Sequence, residues 1–116
     1  IITKAKSEMM LFEKLIKSWN EQDVQTYRSF FRDDWQMTYY STGKVITRAD
    51  DNPEEEMREF MKKFKRDNSR CVYENDDILI TSDQMTNEGQ TGIVTMIHLK
   101  KDGMIWRTEM GETPQS

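Results

Sequence analysis

His98 is the only histidine in a chain of 116 residues. Imidazole is the one side chain whose ordinary pKa suits proton transfer near neutrality, so His98 is the first candidate for acid–base chemistry. The plainer reading, adopted here, is a half-buried histidine near a strand end, hydrogen-bonded to backbone or water. A second candidate lies in "FFRDDWQMTYY", which crowds five aromatic rings into eleven residues around Asp33 and Asp34. That stretch is either core or the wall of a site where rings and carboxylates meet a ligand. The two aspartates fall where a helical pattern gives way to a strand pattern, and acidic residues there commonly serve turns. They are read as turn residues rather than catalytic ones. Lys62, Lys63, Lys65 and Arg66 resemble a phosphate site, but cations at the C-terminal end of a helix are explained by its dipole.

Other chemistries find little support. One His and one Cys give no zinc constellation. "ADDN" and "ENDD" are acidic but lack the alternating aspartates and glycine of a calcium loop, and surface loops explain them. No phosphate loop, dinucleotide fingerprint or nucleophile elbow occurs. No metal and no cofactor are expected.

With 17 Lys+Arg against 21 Asp+Glu, the net charge of −4 offers no footprint for nucleic acid or an anionic membrane. Hydrophobic residues make up 35% and charged residues 33% of the chain, a balance close to that of disordered proteins. Five Phe, four Tyr, three Trp and nine Met in periodic clusters argue instead for a small core under a charged surface. The length fits one domain, residues 1–116. The single cysteine, Cys71, makes no internal disulfide and suits a reducing cytoplasm, the expected location. "IITKAKSEMM" has no apolar run of signal-peptide length and no later stretch is long enough for a spanning helix. The chain does not begin with Met, so a segment upstream is left open.

The elements that must position these residues follow from periodicity. From Ser7, the spacing Met9, Phe12, Leu15/Ile16, Trp19 is that of an amphipathic helix. Asp23 caps a shorter second helix with the stripe Val24, Tyr27, Phe30/Phe31. The period then becomes two: Trp35, Met37 and Tyr39 alternate with Gln36, Thr38 and Tyr40. "STGK" turns the chain at Gly43, and residues 44–48 return as partner strand. Asn52 is expected to cap a third helix with Pro53 in its first position, and Asn52 with Glu55 has capping-box spacing. Its apolar face is Met57, Phe60, Met61 and Phe64. Strands are expected at 71–81, 85–88, 91–99 and 104–111, with turns at Ser82-Asp83, Glu88-Gly89 and Asp102-Gly103. The order is helix, helix, hairpin, helix, antiparallel meander: an α+β domain with its helices on one face of the sheet.

"SWNEQDVQTYRSFFRDDW", a strand, a capped helix and the closing "KKDGMIWRTEMGETP" resemble the nuclear transport factor 2-like superfamily, and within it the SnoaL-like and ketosteroid isomerase-like proteins. The resemblance runs from about Ser7 to Pro114. It implies a cone of curved antiparallel sheet closed by three helices, with a pocket inside, usually dimeric. Family membership leaves activity open, because this fold carries enzymes and silent modules alike. Where the isomerase pattern places its first-helix tyrosine, this chain has Leu15. Its base aspartate is matched by Tyr39 and its protonated aspartate by Met96. That reaction needs a carboxylate and two donors, so the resemblance does not extend to ketosteroid isomerase chemistry. The segment between Ser82 and Gln90 is shorter than in that pattern, which implies short middle strands and a shallow cone end.

The same alignment implies which side chains face the cone. Trp35, Met37 and Tyr39 should point inward, with Val94, Met96 and His98, and with Trp106, Thr108 and Met110. Phe12, Leu15, Trp19, Met57, Phe60 and Met61 should close the pocket from the helices. The expected function is binding of a small, largely apolar molecule in this aromatic- and methionine-lined pocket. The alternatives are an isomerase, dehydratase or cyclase using His98 with the Tyr39 hydroxyl, and an interaction module with a self-filled cone. Ile93, Thr95, Ile97 and Leu99 should then point outward, extended by Ile105 and rimmed by Arg107 and Glu109. An exposed apolar strip of this kind predicts a homodimer through the outer sheet face.

Overall fold

A computed structural model describes residues 11–64, 66, 68–87 and 89–114. Helix α1 (Leu11–Asn20) buries Leu11, Leu15, Ser18 and Trp19, one stripe at helical spacing. Met9 and the expected start at Ser7 lie outside the described residues. The backbone N–H groups of Leu11 and Phe12 donate to the Glu74 carboxylate at 2.7 and 3.2 Å. Lys100 donates to the same carboxylate at 2.7 Å, so a carboxylate from the sheet sits at the positive end of the helix dipole. The chain then turns through Gln22, at φ 54°. Asp23 caps α2 (Val24–Ser29) by accepting from Thr26 N–H at 3.2 Å.

Strands β1 (Phe31–Tyr39) and β2 (Val45–Thr47) form the expected hairpin. Gly43 N–H closes its turn on Tyr39 O at 2.8 Å with φ 71°, a conformation that favours glycine. A 3-10 turn (Arg48–Asp50) carries a capping box between Thr47 and Asp50. The box expected at Asn52 and Glu55 is absent. Helix α3 (Glu54–Lys63) starts from Pro53 without a side-chain cap, and three glutamates in its first turn serve the dipole instead.

Strands β3 (Arg70–Glu74), β4 (Ile78–Asn87), β5 (Gln90–Lys101) and β6 (Met104–Pro114) complete the domain. The order across the sheet is β2-β1-β6-β5-β4-β3, curved and unclosed. The architecture is α+β as expected, with one difference. The sheet is mixed, because β1 runs parallel to its neighbour β6 and closes no hairpin with it.

The middle strands also differ from expectation. A turn falls inside the expected 71–81 strand, because the Asn75 side chain accepts from Asp77 and Ile78 N–H at 2.8 and 2.9 Å. Ser82-Asp83 is not a turn. Asp83 sits in mid-strand, buried and paired with Arg66, and β4 pairs with β5 from Ile78 to Asn87. The middle strands are therefore long rather than short.

Two clusters join the layers. Leu11 and Leu15 of α1 pack on Phe31, Trp35, Leu79 and Ile105 of the sheet. Trp19, Val24 and Met61 hold the helices together. Ile105 is 0% exposed, so it is core and not part of the outer strip. The cause is a bulge. Leu99 pairs with Arg107 but Lys100 with Ile105, so Trp106 is one residue in excess and reverses the faces before it.

Candidate functional site

Strand register arranges the inner face in rows, because residues directly opposite each other point to the same side. The first row is Met37, Thr108, His98, Leu79. The second is Tyr39, Met110, Met96, Thr81, and the third begins Glu112, Val94, Asp83. The first row is packed under α1: Leu79, His98 and Thr108 are buried, and Met37 packs against the first cluster. In the second row Thr81 is buried, while Tyr39, Met110 and Met96 each stay partly open.

A hydrogen-bond chain crosses the first row. Trp35 Nε1–H donates to Thr108 Oγ1 at 3.0 Å, and Thr108 Oγ1 stands 2.8 Å from His98 Nδ1. The ring of Phe31 meets that of His98 edge-on at 6.3 Å. Burial pushes the His98 pKa down to about 3, and the charges of Arg66 and Lys100 push the same way. The imidazole is therefore neutral at neutral pH and a poor general base. Tyr39 is on a strand two removed from it and in the next row. At about 4.8 Å per strand and about 3.4 Å per residue, their Cα atoms are roughly 12 Å apart. Among the described residues no hydrogen bond joins the two groups.

Beside the third row lies a buried ion pair that sequence reasoning missed. Arg66 Nε and Nη2 donate to the two oxygens of Asp83 at 3.2 and 2.8 Å, with both side chains almost wholly buried. The guanidinium lies 5.2 Å from the Trp19 ring, whose Nε1–H donates to Phe64 O at 2.9 Å. Burial raises the pKa of the nearby Tyr27 phenol, partly offset by Arg66. The basic run at 62–66 and the acidic residue at 83 carried the signal, but nothing local links them.

The remaining expected pocket residues separate into groups. Leu15, Trp19, Trp35 and Met61 are filled core, and Phe12 and Met57 pack beside them. Phe60 is 41% exposed, tilted against Phe64 at 4.4 Å and edge-on to Trp19 at 5.8 Å, so it packs within the helix layer. Trp106, rolled outward by the bulge, lies between Lys101 at 5.3 Å and Arg107 at 4.2 Å. Asp33 and Asp34 are exposed on β1 rather than in a turn, and Arg32 holds the Asp34 carboxyl below its usual range. A groove of about 380 Å³ opens elsewhere, between α2, β1 and the start of α3, lined by Arg28, Arg48, Asp33 and Glu54 among others. None of the expected pocket residues lines it. Its arginines are engaged: Arg28 donates to Asn52 O at 2.5 Å, and Arg48 donates to Phe31 O at 3.0 Å and to Asp51 at 3.1 Å.

On the outer face, Ile80 stands opposite Ile97 and Ile78 opposite Leu99, which makes a continuous aliphatic strip with Ile93 and Thr95 beyond it. Glu109 accepts from the Tyr40 hydroxyl at 2.7 Å, and Arg107 donates to Asp34 O at 2.8 Å. Among the described residues no group of three or more His, Cys, Asp or Glu gathers to hold a metal ion.

No family model matches the chain, and none of the curated proteins does. Solved structures do. An uncharacterized protein with a cystatin-like fold from Silicibacter pomeroyi superposes with a TM-score of 0.68 at 12% identity, over 89% of this chain and 73% of that one. A nuclear transport factor 2-like protein of unknown function from Burkholderia xenovorans gives 0.67 at 13% identity, over 90% and 81%. A proposed ketosteroid isomerase from Kribbella flavida gives 0.65 at 13%, over 93% and 78%. At such identities the likeness establishes the fold and leaves activity open.

Proposed function

We propose that this chain, a domain of nuclear transport factor 2-like fold, binds a small and largely apolar molecule on the inner face of its sheet. The ligand lies against Tyr39, Met110 and Met96, with the helices above it. One observation carries the reading. On the inner face of β5, Val94 is 4% and His98 3% exposed, yet Met96 between them stays partly open. Neighbours two residues apart on one face share the same packing layer, so the exposure at Met96 is local and borders adaptable side chains. The enzyme alternative loses support, since His98 is a weak base and its hydrogen bond goes to Thr108 rather than Tyr39. The self-filled cone describes the end under α1 but not the Tyr39 row.

The neutral fluorophore 1-aminoanthracene tests this reading. Its emission should rise on binding, and it should raise the melting temperature in proportion to occupancy. Met96→Trp should cover this open spot and abolish both effects while the variant still melts cooperatively. No fluorescence gain with the parent protein, or the same gain with the variant, contradicts the proposal. A homodimer through Ile97, Leu99 and their neighbours is part of the same reading, supported by the aliphatic strip. No helix among the described residues is long and apolar enough to cross a membrane. Cys71, packed against the first core cluster, fits a reducing cytoplasm.

A further inference from the structure

The hydrogens around Thr108 favour one state of His98, the one that leaves fewest of these groups unmet. The Trp35 indole N–H can only donate, and it ends on Thr108 Oγ1. The Thr108 hydroxyl has one hydrogen, and His98 Nδ1 at 2.8 Å is the acceptor it has among the described residues. His98 Nδ1 therefore accepts, and the neutral imidazole carries its proton on Nε2. With Nδ1 turned towards β6, Nε2 occupies the far corner of the ring, over the inner face. That N–H has no hydrogen-bond partner among the described residues, although His98 is only 3% exposed. Such a group bears its full desolvation cost, and native proteins rarely leave one unmet.

We infer that His98 is the polar anchor of the inner-face site, donating Nε2–H to a carbonyl oxygen of a neutral ligand: a ketone, aldehyde, ester or amide. This rests on the binding reading above and names the class of molecule bound. Three features select a carbonyl. The Asp83 carboxylate is already occupied, because it receives two N–H groups of Arg66 and the Thr81 hydroxyl, and Arg66 is also hydrogen-bonded to Tyr27. The charges cancel in pairs, Arg66 with Asp83 and Lys100 with Glu74, so an anion would enter a buried place without a counter-charge. A carbonyl oxygen accepts from one or two donors and brings no hydrogen of its own.

The test uses the fact that His98 gives the only imidazole signals in the protein. In the free protein at neutral pH, the imidazole nitrogens should show the Nε2–H tautomer; an Nδ1–H tautomer overturns the inference. Acetophenone and ethylbenzene then form a matched pair that differs in one oxygen. Acetophenone should bind about tenfold more tightly and shift the His98 Nε2 signal. His98→Gln keeps an amide N–H near the Nε2 position and should retain the preference. His98→Asn keeps a group opposite Thr108, lacks that donor, and should lose it. Equal binding of the two probes, or a preference untouched by His98→Asn, overturns the anchor while the binding site stands. A water that keeps its contact with Nε2–H at acetophenone saturation overturns it too. Failure of both probes and of 1-aminoanthracene to bind removes the site itself.

Discussion

Thr108 and His98 face each other across β6 and β5, with Oγ1 2.8 Å from Nδ1, and the Thr108 hydroxyl is the link that joins Trp35 to the imidazole. Thr108→Val keeps shape and removes the link, leaving the Trp35 N–H and His98 Nδ1 without partners. The expected loss is roughly 1–3 kcal/mol of stability for each group left unmet, read from urea unfolding. A variant within about 0.5 kcal/mol of the parent would mean the chain has another way to satisfy both groups.

Stability should fall as pH falls through the range where free histidine titrates. The folded protein holds the His98 pKa at about 3, below the 6.5 of a free imidazole. The unfolded chain therefore takes up a proton that the folded chain refuses, so this contribution is complete above about pH 6.5 and drains away towards pH 3. The groups around the ring do not oppose this: Arg66 and Lys100 are cations, and Thr108, Trp35 and Phe31 do not titrate here. Between pH 7.5 and 5 the loss should be about 2 kcal/mol, absent in His98→Gln. The exposed carboxyls of Asp23, Asp34 and Glu54, held low by Thr26, Arg32 and Arg58 respectively, lose their contributions only at lower pH. Parallel pH profiles for parent and variant would show that His98 is not held neutral.

Much of this arrangement was legible in the chain. Asp23, Gly43 and Asp102-Gly103 act locally, so their residue types alone announce the cap and the turns. The alternation in β5 set its faces, because Val94, Met96 and His98 are in unbroken register with β6. What was hidden depends on distance in sequence. Ser82-Asp83 reads as a turn until Arg66, 17 residues away, pairs with the carboxylate and allows it inside a strand. The bulge at Trp106 exchanges the faces of Trp106 and Ile105 without a marker in composition. The parallel pairing of β1 with β6 depends on the whole chain wrapping round, and no local pattern encodes it.

Asp83→Leu alone should be severe, because it strands the Arg66 guanidinium in the interior. The expected cost is roughly 3–5 kcal/mol, and the paired change Arg66→Met with Asp83→Leu should recover most of it. Urea unfolding of the three variants checks this. If the double variant is no better than Asp83→Leu, the two residues are not coupled as described.

For the outer face, light scattering at micromolar concentration should give twice the mass of one chain. Ile97→Glu should return a monomer, since it places a charge in the middle of the aliphatic strip opposite Ile80. Glu109 and Arg107 already have partners within the chain, so Glu109→Gln should weaken the dimer far less. A monomeric parent, or a dimer indifferent to Ile97→Glu, would show that another surface or partner is involved.

The inner-face site is most directly tested by the methionine methyl spectrum during titration with 1-aminoanthracene. Met96 and Met110 line the proposed site and Met37 stands at its margin, whereas Met104 borders the groove between α2, β1 and α3, and Met61 is sealed between helices. The methyls of Met96 and Met110 should move by ring-current shifts, that of Met37 less, and that of Met104 not at all. A spectrum in which Met104 alone responds, or in which no methyl moves at saturating probe, would contradict binding at the inner face.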